Sequence, residues 1–206
     1  MARSGRKRGG TDPSDTRSGL VDATVAVLAE QGFSATSARA VAQRAGVAPG
    51  GVFYHFGSMD ELLAEVFITC LDRRIGRLGA AVDVPREALP AAFTGAVRAE
   101  FAHPESRALL ELVVGAIDSP VLAVRVREGL DRSFEFTRGV AARLLGDSPL
   151  AGALPLELVA QVAASAFFGL AVMELVGAEM DLDGMTALVT SLLTMVGGEE
   201  PRLGPG

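Results

Sequence analysis

With 206 residues, 49% of them apolar, and a formal net charge of −6, the chain is long enough to bury a substantial core. The single cysteine, Cys70, excludes an internal disulfide and a zinc site built from cysteines. Aromatic residues make up 5%, and Ala, Leu, Val and Gly dominate, which favours packed helices over a β-sandwich. The uncharged stretches 158–173 and 184–198 are shorter than the ~20 residues of a membrane helix, and no secretory signal is visible. We therefore expect a cytoplasmic protein.

Charge is unevenly distributed along the chain. Residues 1–56 carry seven Lys and Arg against four Asp and Glu, a net charge of +3, which leaves −9 for the remainder. A basic end on an acidic body is the asymmetry expected when one end of a protein meets phosphate. The Arg-rich and Gly-rich residues 1–13 have no apolar face and predict a disordered arm, which either contacts DNA or is a solvated tail.

Apolar periodicity and turn residues indicate an all-α fold of about nine helices. Ser58 and Glu61 predict a capping box at the start of the fourth helix, Pro104 and Pro120 suit first turns, and Asp183 is expected to cap the last helix. The fourth helix, ~36 Å long at 1.5 Å per residue, would link the N-terminal end to the body. The expected helices lie at about 14–31, 37–45, 48–56, 57–82, 85–102, 103–116, 119–145, 155–178 and 184–196.

Two short helices joined by a tight turn are indicated by the sequence TSARAVAQRAGVAPGGVFYHF, which begins at Thr36. Thr36 or Ser37 can cap the first helix, and Gly46 can adopt the left-handed backbone that ends it. In the second helix Val52 and Phe56 stand four residues apart, so both can pack inward and leave aromatic and polar groups outside. Such a pair of helices suits DNA recognition, with the second helix in the major groove.

This stretch resembles the helix-turn-helix of the tetracycline-repressor (TetR) family of bacterial regulators. The run AVAQRAGVAPGGVFYHF, followed by GSMDELL, carries the resemblance, which covers roughly residues 14–74. The resemblance implies a DNA-binding domain over residues 14–74, with its motif at about 37–56. It also implies a ligand-binding and dimerisation domain over residues 75–206.

Positions that approach DNA in this family are carried over residue by residue. Backbone amides at the two glycines could approach phosphates, the one tyrosine offers a ring and a hydroxyl, and the histidine either donates to phosphate or is buried. Family members often have tyrosine where Phe53 stands and lysine where Met59 stands, so contacts to the DNA backbone are weakened at both. Gly51 and Pro49 stand where side chains often read bases, so few direct base contacts remain and DNA shape gains weight. The candidates are Thr36, Ser37, Pro49, Gly50, Gly51, Phe53, Tyr54, His55 and Met59, with Arg39 and Arg44 adding charge.

The last two long helices are the most apolar part of the chain. Apolar residues occur on more than one face of each, and such helices need burial on two sides. We expect a homodimer with a four-helix interface, as the resemblance also implies; the alternative is a thicker core within one chain. The interface candidates are Ala163, Ala166, Phe167, Leu170, Met185, Leu188, Val189 and Leu192.

An effector site, by resemblance, would lie inside the helical body. No fixed cation or metal cluster is evident there, so we expect no cofactor and an apolar or amphipathic small molecule. Arg107, Glu111 and Glu174 are possible polar anchors but suit a solvated face as well. The lining candidates, each also compatible with ordinary core, are Phe67, Leu71, Phe93, Phe101, Leu110, Val114, Phe134 and Phe168.

The sequence therefore predicts a ligand-responsive repressor that binds a near-palindromic DNA operator as a homodimer. An alternative is a helical small-molecule-binding or adaptor protein with weakened DNA binding, which the departures at Phe53 and Met59 allow. An enzyme is not expected, because two histidines, His55 and His103, and one cysteine leave little for catalysis, and no phosphate loop or dinucleotide fingerprint occurs.

Overall fold

The computed structural model describes residues 13–146, 153–185, 187, 188 and 191. Every regular element in this part of the chain is helical, which confirms the predicted all-α fold. Residues 1–12 of the predicted arm lie outside the described residues. Helical residues at 182–185, 187, 188 and 191 belong to the last predicted helix. The preceding helices are α1 (Pro13–Gln31), α2 (Ala38–Ala45), α3 (Gly50–Phe56), α4 (Met59–Ala81), α5 (Leu89–Phe101), α6 (Pro104–Gly115), α7 (Pro120–Leu145) and α8 (Leu156–Leu175).

Side chains just before the helices define where several of them begin. The hydroxyl oxygens of Ser37, Ser58 and Ser119 accept from first-turn amides of α2, α4 and α7 at 3.3, 3.1 and 3.2 Å. At α6 the ring nitrogen Nδ1 of His103 accepts from the amide of Glu105 at 3.3 Å. Because a helix leaves its first amides without partners, these acceptors stabilise the predicted starts. Capping by Ser58 is thereby confirmed.

The C-terminal region departs from the prediction at two helix ends. Asp181, not Asp183, caps the last helix, since its Oδ1 accepts from the amide of Gly184 at 2.8 Å. Asp183 lies inside the helix and its Oδ1 pairs with Arg98 of α5 at 2.8 Å. Helix α8 ends before residue 178, because Gly177 adopts a φ of 73°, which is costly for any other residue.

One cluster of buried apolar side chains connects the N-terminal helices to the body. It extends from Val41 of α2 and Val52 of α3 through Leu62 of α4 to Leu112 of α6 and Leu122 of α7, all fully buried. Helix α4 therefore contributes to the packing of both ends. The division into domains at residue 74 stays a prediction.

Helix α7 packs between α4 and α8 and holds the body together. A Cβ on Gly129 would lie 2.5 Å from the ring of Phe67, so this glycine allows close approach of α7 to α4. At the other end of α7, the guanidinium of Arg143 donates to the carbonyls of Val82 and Val84 at 2.7 Å each. The end of α4 is thus tied to the end of α7.

Candidate nucleic-acid interface and effector cavity

The turn between α2 and α3 has the geometry that its sequence predicts. Gly46 adopts a φ of 70°, and the amide of Val47 donates to the carbonyl of Ala42 at 3.0 Å. Val52 is fully buried and Phe56 nearly so, and both pack into the core from the inner face of α3. The orientation of α3 is therefore set by a buried face, and its opposite face is left to solvent.

The outer face of α3 presents two aromatic side chains to solvent. Tyr54 is 84% exposed and Phe53 is 52% exposed. The ring of Tyr54 meets the half-buried ring of His55 edge-on, with centroids 5.0 Å apart. Because exposing a large ring to water without a partner is unfavourable, a tyrosine exposed to this degree suits a surface that another molecule covers.

Several groups that the sequence predicts to contact DNA already form hydrogen bonds within the protein. The hydroxyl of Thr36 donates to the carbonyl of Gly32 at 2.9 Å, and the amide of Gly51 donates to the carbonyl of Ala48 at 2.8 Å. Ser37 is different, because its oxygen accepts from α2 and its O–H proton stays available to a phosphate. Pro49 and Gly50, exposed at the start of α3, leave the approach to that end open.

The two arginines of α2 differ in their surroundings. Both terminal nitrogens of Arg44 donate to the carboxylate of Glu30, at 2.8 and 2.7 Å. This hydrogen bonding raises the pKa of Arg44 and lowers that of Glu30. Arg39 is exposed and has no ion pair with the residues that the structure describes. Arg39 therefore offers its charge directly, whereas Arg44 must first leave Glu30.

The start of α4 completes this end of the molecule. Met59 is half-buried and packs against the core. Acidic residues follow it in the first turn, where the helix dipole favours them. One of them, Asp60, accepts from the hydroxyl of Ser119 at 3.1 Å, so the N-terminus of α4 is joined to that of α7.

A second connection joins α6 to the helix-turn-helix. The carboxylate of Glu111 accepts from the amide of Phe33 at 2.9 Å, just after α1. A Cβ on Gly115 would lie 2.1 Å from the ring of Phe33, so the glycine makes room for that ring. Glu111, considered above as a ligand anchor, instead ties α6 to the N-terminal helices.

A cavity of about 440 Å³ lies in the body between α4, α5, α7, α8 and the last helix. Of the eight lining candidates, the structure places Leu71, Phe93 and Phe168 at its wall. Phe101 does not line the cavity, but its ring centroid lies 5.1 Å from that of Phe167, which does. The other four lie elsewhere: Phe67 and Leu110 are buried in the core, Phe134 is half-buried on α7, and Val114 is 63% exposed on α6.

The candidates for the dimer interface are distributed over two surfaces. Ala163, Ala166, Phe167, Leu170 and Met185 line the cavity, and Leu188 is exposed. Val189 and Leu192 lie outside the described residues. A different set of apolar and small residues forms an exposed stripe along α8 and its C-cap, at alternating spacings of four and three residues. Its members are Leu158, Val162, Ser165, Gly169, Val172 and Val176.

Helix α8 is long and apolar enough to cross a membrane by length and composition. It exceeds the uncharged stretch 158–173 because it includes Glu157 near its start and Glu174 near its end. One face of α8 lines the cavity and packs against α7, as a helix of a packed body does.

The charged residue at the cavity wall is Arg74, which was not among the candidates predicted from the sequence. It lies on the buried stripe of α4 between Leu71 and Leu78, at helical spacing, and an arginine in such a stripe was the available signal. Its side chain is 6% exposed. Its guanidinium carbon lies 5.0 Å from the ring centroid of Phe167, and its Nη2 donates to the hydroxyl of Ser106 at 2.9 Å.

Arg74 belongs to a buried ionic cluster that joins α4 to α5 and α6. Arg77 donates to both oxygens of Glu100, at 2.6 and 3.0 Å, and to Glu105 at 2.7 Å. Arg73 donates to Glu105 and to the exposed Asp22, at 3.0 Å each. Burial lowers the pKa of Arg74, although the negative charge of Glu100 opposes the shift.

Cys70 is fully buried one turn from this cluster. Burial raises the pKa of its thiol to about 12, and the charge of Glu105 adds to the shift. A thiol with that pKa stays protonated and unreactive at neutral pH. Cys70 therefore behaves as a small core residue.

Comparison with known proteins finds similarity to bacterial regulators. Residues 20–66 match the family model described as bacterial regulatory proteins, tetR family. The HTH-type transcriptional repressor KstR2 of Mycolicibacterium smegmatis is 30% identical over 97 residues, 47% of this chain and 47% of that protein. An HTH-type transcriptional regulator of Mycobacterium bovis is 32% identical over 119 residues, 56% of this chain and 58% of that protein. The chain thus spans about half the length of these curated relatives.

A solved structure extends the likeness across the whole fold. A transcriptional regulator from Rhodococcus sp. Rha1 superposes with a TM-score of 0.66 at 25% identity, covering 90% of this chain and 96% of that one. Residues 20–66 thus match the tetR family of bacterial regulatory proteins, and the all-helical fold of a transcriptional regulator extends over 90% of this chain.

Proposed function

We propose that the protein is a transcriptional repressor of the cytoplasm, which binds a near-palindromic operator as a homodimer and releases it when a small molecule enters the cavity. The observation that carries the proposal is the outer face of α3. A helix held by fully buried Val52 exposes 84% of Tyr54, in the motif that positions a recognition helix. The basic N-terminal end and the acidic remainder of the chain support this orientation.

The exposed stripe on α8 supports a homodimer. Its spacing of alternately four and three residues, from Leu158 to Val176, is that of two helices packing along a shared seam. Gly169 lies in the middle of the stripe, with no atom of another residue within 4 Å of the place a Cβ would take, so a second helix can approach closely there. This stripe replaces the earlier candidates that line the cavity.

Two routes connect the cavity to the DNA-facing end. Helix α4 lines the cavity with its C-terminal half, including Leu71 and Arg74, and packs against α1 and α3 with its N-terminal half. Helix α6 does not line the cavity, but its Ser106 accepts from Arg74 at the cavity wall. Its Glu111 binds the amide of Phe33 at the DNA-facing end. A ligand that prefers one arrangement of these helices shifts the separation of the two recognition helices by its differential affinity.

The experiment is a footprint and a gel-shift titration on DNA that flanks the protein's own gene. We expect a protected region with two half-sites about one helical turn (~34 Å) apart, and affinity that falls steeply with salt. Tyr54→Ala should weaken binding by about 1–3 kcal/mol while the protein keeps its helical content. Tyr54→Phe, which keeps the ring, separates the contribution of the hydroxyl.

Light scattering tests the dimer. Val162→Glu places a charge in the stripe, and we expect a folded monomer with greatly weakened operator binding. Val124→Glu, at an exposed apolar position of α7 outside the stripe, is the matched control and should stay dimeric. A dimeric Val162→Glu protein contradicts the proposed seam.

A second candidate function is a helical small-molecule-binding protein with weakened DNA binding. It is favoured by the internal use of the Thr36 hydroxyl and by the pairing of Arg44 with Glu30. The same titration separates the two functions. The second predicts no footprint, and any residual DNA binding should be the same in Tyr54→Ala as in the wild type.

A further inference from the structure

The cavity is apolar apart from one charged group and a few hydroxyls. Among the described residues that line it, Arg74 is the one with a charge, and Thr94, Ser133 and Thr137 are the ones with hydroxyls. A volume of about 440 Å³ suits a small organic molecule. The composition of the wall therefore favours a largely apolar ligand, and Arg74 determines which polar group at the end of that ligand would bind.

The guanidinium of Arg74 lies in the cavity wall beside an aromatic ring, since its central carbon is 5.0 Å from the ring centroid of Phe167, which also lines the cavity. Its Nη2 is used by Ser106, but its Nε is buried and has no hydrogen-bond partner. An unsatisfied buried donor on a cation carries a substantial free-energy cost, which an anionic acceptor removes.

The neighbouring carboxylate of Glu100 does not fully satisfy the guanidinium of Arg74. Glu100 accepts three close contacts, and the two shortest, at 2.6 and 3.0 Å, come from Arg77. Arg74 Nε approaches it at 3.4 Å, outside hydrogen-bond geometry. Three arginines, including Arg73, thus face two buried carboxylates, Glu100 and Glu105, and the third carboxylate in the cluster is exposed. The incompletely paired guanidinium of Arg74 lies at the end of the cluster that borders the cavity.

We propose that the effector is an amphipathic anion, whose apolar body fills the cavity and whose carboxylate, or an equivalent single negative group, binds the Arg74 guanidinium. This proposal deepens the proposed function and rests on it, because an effector is a ligand that controls operator binding. The head group would accept from Nε and draw Arg74 away from Glu100. Because Arg74 is on α4, which also packs against the DNA-binding helices, the charged end of the ligand meets the helix that connects the two ends.

The test uses three probes with the same ten-carbon tail and different heads: decanoate, decanol and decyltrimethylammonium, below their micelle concentrations and without DNA. Calorimetry on the wild-type dimer should show decanoate binding about tenfold or more tightly than decanol, as one charge-assisted hydrogen bond provides. The cation should bind weakest. Equal binding of decanoate and decanol, a preference for the cation, or no binding of any probe overturns the proposal.

Variants locate the preference. Arg74→Met should abolish the preference for decanoate while decanol still binds, and Arg74→Lys, which keeps a cation without the planar fork, should retain part of it. Arg107→Met is the matched control, because it removes an equal charge from an exposed site on α6 outside the cavity wall. If Arg74→Met does not fold, Arg74→Lys and the wild-type series decide the question. A full decanoate preference in Arg74→Met or Arg74→Lys overturns it.

The failure of this proposal differs from failure of the proposed function. The probes are measured without operator, so a negative result leaves the footprint unaffected. An absent footprint, in turn, leaves the probe series intact. Adding decanoate to the operator complex tests both proposals together. We expect release of the DNA from the wild-type protein but not from Arg74→Met.

Discussion

The two ends of α4 use arginine–carboxylate pairs in opposite environments. Near its N-terminus, Arg17 of α1 pairs with Glu65 at 2.8 Å, and both side chains are about two-fifths exposed. Near its C-terminus, Arg77 pairs with Glu100 at 2.6 Å, and the carboxylate is 4% exposed. The residue types and distances are similar, so burial makes the difference.

Exposure decides what each pair can do. An exposed pair contributes little to stability and is screened by salt, so its arginine can exchange a carboxylate for a phosphate at small cost. A buried pair cannot separate without leaving an unpaired charge in the protein interior, so it fixes how helices pack. The exposed pairs at the helix-turn-helix end can thus exchange partners, whereas the buried cluster around Glu100 is fixed, and Arg74 of that cluster borders the cavity.

The largest expected effect comes from breaking the buried pair. Glu100→Gln leaves Arg74 and Arg77 without their shared carboxylate, and we expect a loss of about 3–5 kcal/mol in the free energy of unfolding. Urea denaturation at a fixed protomer concentration measures it. Glu135→Gln, which breaks an exposed pair with Arg138, is the control and should leave the unfolding midpoint nearly unchanged. Equal midpoints for the two variants would contradict the comparison.

Lowering the pH should reveal a smaller difference in stability between the buried and the exposed pairs. Burial opposes ionisation of Glu105, but hydrogen bonds from Arg77 and Arg73 outweigh it and hold the pKa of Glu105 below its ordinary value. A lowered folded-state pKa means that the unfolded chain binds more protons. The contribution to stability is therefore present above about pH 4.3 and is lost as pH falls through the folded-state pKa.

Urea midpoints measured between about pH 6 and pH 3 should fall at the acid end in the wild type. In Glu105→Gln the fall should be shallower, because that carboxylate no longer takes up a proton. In Glu30→Gln the fall should change less, although the pKa of Glu30 is also lowered, because water screens its pair with Arg44. A steeper acid limb in Glu105→Gln than in the wild type contradicts the assignment.

Short-range features of this fold were predictable from the sequence. The cap at Ser37, the left-handed turn at Gly46 and the inward pair Val52 and Phe56 each depend on residues within a few positions of one another. Local hydrogen bonds and helical spacing determine such features, so the pattern alone predicts the helix-turn-helix and its exposed Tyr54.

Long-range features were not predictable in the same way. Arg74 meets Glu100, and Glu111 meets Phe33 across 78 positions of the chain, only because the helices pack as they do. Helix α8 is apolar around most of its circumference, so periodicity could not tell which side lines the cavity. The interface prediction therefore included Phe167, which lines the cavity, and omitted Val162, which is 70% exposed.

The smallest effect tests whether an exposed pair is exchangeable. Glu30→Gln removes the carboxylate that holds Arg44, so the guanidinium is free to bind a phosphate without first losing a partner. We expect operator affinity to rise several-fold at moderate salt, and the slope of log affinity against log salt to steepen by about one. Fluorescence anisotropy with labelled operator over a potassium chloride series measures both.

Glu135→Gln makes the same change in net charge on α7, far along the chain from α2, and serves as the control for long-range attraction to DNA. If both variants raise affinity equally, the gain comes from net charge and Arg44 does not reach a phosphate. If Glu30→Gln alone steepens the salt slope, Arg44 contacts the backbone, and Glu30 moderates operator affinity in the native protein. The exposed pair would then limit binding in the same region where Arg39 offers its charge without a competitor.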